Sequence, residues 1–370
     1  MARRKAETEF ALRFPLRAKS KMWVKDFDYH LPKSAIAQHP PRERDQSRLL
    51  LIDRKTQKFF DHKFWELPEL LSPKDVLVVN NSQVIPARIF AQRKTGAQLE
   101  ITLIKKVSEN EWEGLIRGKK PRPGEELVLK ENVRLTFLEE KDLDFEAGFK
   151  GGLWRIRLES PDQEILEQIG VVPLPPYIHR SSVQEYQEDK ERYQTIFARK
   201  KGAVASPTAG LHFTERVFKA LKERGIEIVE ITLYVGYGTF APVRVERVEN
   251  HKLHKEFYEV SETASQKINQ AKEKGGRIIA VGTTVCRTLE TVSDEQGRVR
   301  AQAGETDLFI YPGYKFKIID ALLTNFHMPR SSLLMLVSAF AGLELTKRAY
   351  QYALSQGYRF LSYGDCSLII

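Results

Sequence analysis

From residue 203 to the C-terminus, five short apolar runs alternate with helical patterns, and this alternation limits the possible folds more than any other feature. The runs are AVAS (203–206), EITLYV (230–235), RIIAVG (277–282), DLFIY (307–311) and YRFLSYGD (358–365). Strands separated by helices predict an α/β domain, in which crossover helices cover the faces of a sheet. Leu49–Ile52 and Val76–Val79 are two further buried-strand candidates.

Between about Ile85 and Leu158 the pattern changes. ARIFAQR, AQLEITLIK, EWEGLIRG, EELVLK, VRLTFLEE and LWRIRLE are short and alternating, and KTG, KKPRPG and FKGG punctuate them. Such spacing predicts an antiparallel barrel or compact sheet inserted into the α/β domain. The expected fold class is therefore α/β, a main α/β domain with an inserted antiparallel β-barrel domain. Its predicted parts are a basic extension at 1–21, main-domain segments at 22–84 and 171–370, and the insertion at 85–170. A length of 370 residues suits two domains.

Charge adds less than its total suggests. The net charge is +10, but residues 1–21 hold seven Lys or Arg against Glu7 and Glu9, which accounts for half of it. That leader has no continuous apolar core and no small-residue cleavage site, and Met22 reads as a natural start. Cys286 and Cys366 form no CxxC pair or metal-ligand spacing, which fits a reducing cytoplasm. No run of eighteen apolar residues occurs, so no membrane span is expected.

AVASPTAGLHFT delivers His212 to a strand-to-helix corner, with Thr214 as helix cap, Glu215 at the positive end of the helix and Phe213 able to staple against Phe218. A structural histidine at an ordinary corner is the competing reading. Other polar residues also follow strand candidates: Ser206, Thr208, Thr283, Thr284, Glu305, Asp307, Thr324, Asn325, His327 and Asp365. In open α/β sheets ligands gather outside the carboxyl ends of strands, so this recurrence predicts one shared crevice. Gly236 and Gly238 allow close backbone approach to a ligand, or only a turn. Tyr186–Lys200 is a charged helix candidate. Asn80, Asn81 and Ser82 read as a turn. His251 and His254 have one-turn spacing, with surface polarity or substrate contact favoured over metal ligation.

The segments FDYHLP, VVNNSQVIPARI, ASPTAGLHFT, ITLYVGYGTFAPV, HKLHKEFYEV, AVGTTVCRTLE, GETDLFIYPGYKF, LLTNFHMPRSSLLMLVSAFAG and YGDCSLI occur in this order. From about Phe27 onward the chain resembles the S-adenosylmethionine:tRNA ribosyltransferase-isomerase family of queuosine biosynthesis. The resemblance implies transfer and isomerisation of the ribosyl group of S-adenosylmethionine onto 7-aminomethyl-7-deazaguanine at the tRNA wobble position, giving epoxyqueuosine, adenine and methionine. It also implies an α/β domain with a β-barrel insertion, in agreement with the pattern above. No metal or other prosthetic group is expected, S-adenosylmethionine being a consumed substrate. A cytoplasmic monomer acting on tRNA is expected.

For that chemistry His212 is the first candidate base, with Asp365 and Glu305 behind it. Ser206, Thr208, Gly210, Gly236, Gly238, Thr283, Thr284, Asp307, Thr324, Asn325 and His327 are expected to contact substrate. Arg180, Arg287 and Arg330 are expected to contact tRNA, with basic residues of the insertion such as Arg88, Arg93 and Arg117 as further candidates. Each has a structural alternative: Asp365 capping a turn, Glu305 in an ion pair, His327 hydrogen-bonded within its loop, the arginines in salt bridges. A noncatalytic RNA-binding protein is the alternative function. An S-adenosylmethionine methyltransferase is disfavoured by the missing glycine-rich fingerprint.

Overall fold

The computed structural model describes residues 21–142, 150–159, 163–240 and 243–370. Residues 1–20 of the predicted leader lie outside them. Strands run in chain order as β1 (Arg48–Asp53), β2 (Lys58–Lys63), β3 (Val76–Asn80), β4 (Ser82–Val84), β5 (Arg88–Gln92) and β6 (Gln98–Lys106). Next come β7 (Glu111–Arg117), β8 (Glu126–Val128), β9 (Arg134–Lys141), β10 (Leu153–Leu158), β11 (Gly170–Val171) and β12 (Lys200–Ala203). The last are β13 (Glu227–Leu233), β14 (Glu256–Val260), β15 (Ile278–Val281), β16 (Gln302–Thr306), β17 (Ala321–Asn325) and β18 (Cys366–Ile369).

Nine strands form a mixed sheet in the order β16-β14-β13-β3-β15-β17-β18-β1-β2. Its centre, β13, β3, β15 and β17, is parallel. Val76–Val79 of β3 and all of β15 are apolar on both faces because both faces are covered. Val76, Val78, Ile278, Ala280 and Leu322 join one core with the helices Glu262–Glu273, Thr283–Val292, Ser332–Ala341 and Leu343–Ser355. Their neighbours Leu77, Val79, Ile279, Val281 and Leu323 join the opposite core with the helix Glu215–Glu223. Truncating a fully buried residue such as Leu323 to alanine would cost roughly 2–5 kcal/mol.

The alternating region forms a seven-stranded antiparallel sheet, β11-β5-β6-β7-β10-β9-β8. Register shifts at Leu103/Lys105 and Arg155/Ile156 bend it, and it curls far enough to bring β8 against β5. At Gly114 an added Cβ would lie 2.5 Å from Ile156 Cδ1, so Ile156 packs directly over the glycine and would have to shift for any larger residue. Val204 and Tyr237 pack into this sheet's core and join it to the main body.

Several expected elements shift. AVAS does not enter the main sheet: β12 ends at Ala203 and pairs only with β4. DLFIY follows a strand instead of forming one, and 358–365 is a turn in which Leu361 has φ +70°. The charged helix runs Val183–Arg192, because Ser182 and Glu185 form a capping box there. Thr214 caps its helix through Val217 N–H, as expected, but Phe213 packs edge-on against Phe64 and Phe197.

Candidate active site

The carboxyl ends of the central parallel strands open onto a cavity of about 170 Å³. Val235 follows β13, Gly282, Thr283 and Thr284 follow β15, and Thr324, Asn325 and His327 come from the end of β17; all line it. Ser206 and Thr208 enter from the loop after β12, and Arg330 stands at the rim. The four parallel strands point their ends the same way, which brings residues from distant parts of the sequence together. Among the described residues no carboxylate lines this cavity.

Two buried polar atoms of the lining residues have no hydrogen-bond partner, Ser206 Oγ and Asn325 Oδ1. Such orphans are costly, and both belong to residues of the cavity wall. The helix Thr283–Val292 also opens here. Thr284 is not its cap: the N-cap is Gly282, at φ +93°, and no side chain caps the first turn. Its first amides and positive dipole end therefore face the cavity wall, an arrangement suited to an anionic group. Asn80, read as part of a turn, holds this corner by donating to Leu233 O and Thr284 Oγ1 and accepting from Leu233 N–H.

His212 does not line the cavity; its ring is buried behind Asn325. Asn325 Nδ2 lies 3.1 Å from Leu361 O, 3.4 Å from Asp365 O and 3.2 Å from His212 Nε2. Carbonyls only accept, so this side of the amide carries the hydrogens and His212 Nε2 accepts. The ring proton is then on Nδ1, which donates to Ser47 Oγ at 2.7 Å, and that hydroxyl donates to Arg44 O. Burial, with Arg359 and Arg44 nearby, pushes the His212 pKa down to about 3. The imidazole is neutral, and both its nitrogens are used.

His327 does line the cavity. Its Nε2 lies 3.0 Å from Thr324 Oγ1, and its backbone N–H donates to Tyr350 Oη. Burial pushes its pKa down to about 3 as well, so it too is neutral near pH 7.

A larger cleft of about 540 Å³ adjoins the cavity, with Val235, Thr239 and Leu333 lining both. It lies where the two sheets meet, with Ile104 and Leu153 on one side and Gly236, Gly238, Glu305 and Arg287 on the other. Glu256 is its buried hub, accepting from Gly236 N–H, Thr239 Oγ1 and Arg287. Gly238 lies so close to His254 that an added Cβ would fall 2.4 Å from that ring.

The remaining expected residues are placed elsewhere. Asp365 accepts from the backbone N–H groups of Arg48 and Arg359, tying β1 to the turn before β18, and lines neither space. Gly210 packs against Phe197 and Thr195, and Asp307 is exposed outside both spaces. Glu305 lines the cleft, not the cavity, with Lys255 3.9 Å away. Arg180 is not presented to a nucleic acid: it is buried in a two-pronged pair with Asp189. Arg287 is likewise buried against Glu256 and the carbonyls of Leu308 and Thr306. Of these three arginines only Arg330 is exposed, paired with Asp28. Among the described residues no group of three His, Cys, Asp or Glu could hold a metal ion, and no helix is long and apolar enough to cross a membrane.

A family profile described as "Queuosine biosynthesis protein" matches residues 24–369. The S-adenosylmethionine:tRNA ribosyltransferase-isomerase of Desulforamulus reducens is 47% identical over 352 residues, covering 94% of this chain and 100% of the relative. The Symbiobacterium thermophilum protein of the same name is 49% identical, with the same coverage. The crystal structure of the S-adenosylmethionine tRNA ribosyltransferase from Thermotoga maritima is similar at a TM-score of 0.52 and 37% identity, over 93% of this chain and 100% of that one.

Proposed function

The chain belongs to the queuosine biosynthesis protein family, and on that footing we propose that it transfers and isomerises the ribosyl group of S-adenosylmethionine onto tRNA. The acceptor is 7-aminomethyl-7-deazaguanine at the wobble position, and the products are epoxyqueuosine, adenine and methionine. The observation that carries this reading is the pairing of two spaces. A smaller cavity whose lining includes orphaned polar residues adjoins a wider cleft, so a small donor and a large acceptor can meet at Val235 and Thr239.

In this reading S-adenosylmethionine occupies the cavity. Its carboxylate suits the uncapped helix start at Thr283 and Thr284, and the orphaned Ser206 Oγ and Asn325 Oδ1 take hydroxyl or amino hydrogens. The sulfonium acidifies the adjacent ribose carbon, from which a base removes a proton before the ring opens and adenine leaves. His327 is the base proposed here, because it lines the cavity and is neutral. His212 is a positioning residue that orients Asn325.

In this reading the curled sheet belongs to an inserted barrel domain at 85–170, and the main domain comprises 22–84 and 171–370. The protein works as a cytoplasmic monomer without a metal or prosthetic group. The test is to mix protein, S-adenosylmethionine and tRNA carrying the modified base. Adenine and methionine are expected in equal amounts, with the methyl group retained on methionine. RNA binding without adenine release would overturn the reading in favour of a noncatalytic RNA-binding protein.

A further inference from the structure

A row of side chains crosses the outer strands of the main sheet inside the cleft. The Tyr234 N–H donates to Phe257 O, and the two rings stack with centroids 6.1 Å apart and planes 25° from parallel. Phe257 pairs directly with Glu305 across β14 and β16. Directly opposed residues project to the same face of a sheet, so tyrosine, phenylalanine and carboxylate form one continuous strip. All three line the cleft.

The strip is built but not closed. Gly202, at φ +145°, lies against the Tyr234 ring, and an added Cβ would fall 2.9 Å from Cε1, so the backbone there supports the aromatic from behind. Phe257 remains 43% exposed, although large apolar side chains usually gain from burial. Glu305 has only a long contact with Lys255, and both side chains are more than half exposed. Such a pair holds its carboxylate weakly, leaving it available to another cation. Lys105 and Lys255 line the same cleft and supply positive charge for a phosphate backbone.

We infer that this strip is the acceptor-base site: an unpaired purine-like base stacks on Phe257, backed by Tyr234, and Glu305 takes the ammonium of its aminomethyl arm. The inference rests on the transfer reading above, because ribosyl transfer requires the acceptor to reach the cavity. Val235, next in sequence to Tyr234, lines both spaces and marks the junction. Aromatic faces stack on any base, whereas a carboxylate selects the cationic arm, so stacking and selectivity reside in different residues.

Binding titrations with two tRNAs, one carrying the aminomethyl base and one carrying guanine at the same position, test this without requiring turnover. Phe257→Ala is expected to weaken both by about tenfold, and Phe257→Leu to recover only part of the loss. Glu305→Gln is expected to weaken the aminomethyl tRNA at least fivefold and leave the guanine tRNA within twofold. All three variants should retain S-adenosylmethionine affinity within twofold. Equal losses on the two tRNAs in Glu305→Gln, or unchanged binding in Phe257→Ala, would overturn the assignment. Were the variants to show these differences while the wild-type protein releases no adenine, the base site would stand and the transfer reading would fall. Adenine release without the differences would do the reverse.

Discussion

Asn325 donates a side-chain N–H to Nε2 of His212 at 3.2 Å, which directs the amide oxygen to the side where it has no protein partner. The histidine thus affects the cavity through a neighbour it holds. Ser47, just before β1, fixes the ring from behind, so residues far apart in sequence set one acceptor atom.

His212→Ala is therefore expected to raise the KM for S-adenosylmethionine about fivefold or more, with the shape of the pH–rate profile unchanged. His212→Gln, whose side-chain oxygen can accept the same N–H, should recover most of the loss. Unchanged S-adenosylmethionine affinity combined with loss of single-turnover chemistry would instead make His212 the base.

Stability should fall in mild acid. His212 and His327 are held near pKa 3 in the folded chain and return toward 6.5 on unfolding. Below about pH 6.5 the unfolded state binds more protons, so each histidine removes roughly 1.4 kcal/mol per pH unit, down to about pH 3. Thermal melts from pH 7 to 4 check this, and a His212→Gln variant should show a shallower decline than the wild type. Parallel curves would contradict the assignment of neutral, buried rings.

Arg287→Ala should destabilise the fold by roughly 3–5 kcal/mol, because it leaves Glu256 buried without its cation. Denaturant midpoints measure the loss. Arg287→Ala with Glu256→Gln should be less damaging than the single arginine change. A variant of normal stability and weak tRNA binding would return Arg287 to the RNA surface.

Arg330 is exposed beside the cavity and has φ +57°, so Arg330→Gly removes the side chain without straining the turn. If it contacts a tRNA phosphate, this variant should weaken all tRNAs alike and lower the slope of log affinity against log salt by about one. Affinity measured across a salt series is the check, and an unchanged slope would remove Arg330 from the interface.

Much of this architecture is legible in the sequence. Val76–Val79 and RIIAVG read as buried strands because they lie in the centre of a sheet covered on both faces, where apolar, largely β-branched residues are needed at successive positions. The cavity-lining Ser206, Thr208, Thr283, Thr284, Thr324, Asn325 and His327 could be named because each follows or ends a short apolar run. Asn80 and Ser47 were missed, since a turn asparagine and a loop serine carry no pattern that reveals a partner more than a hundred residues away. The Ser182–Glu185 capping box was visible in the sequence, and it would have corrected the start of that helix.

The sequence located the helices and the central strands β3, β13 and β15, because periodicity and capping are local properties of the chain, although AVAS, DLFIY and 358–365 have the same local look and form no strand of the main sheet. It also determined the family, through many motifs in one order. Tertiary structure alone decided which polar side chains face the cavity. His212, Asp365, Arg180 and Arg287 are the same chemical types as exposed catalytic or phosphate-binding groups, yet each is buried against the chain's own donors or acceptors, from distant segments for His212 and Asp365 and from Asp189, close in sequence, for Arg180. Which partner satisfies a polar group depends on strand order and register, and neither is written in the neighbouring residues.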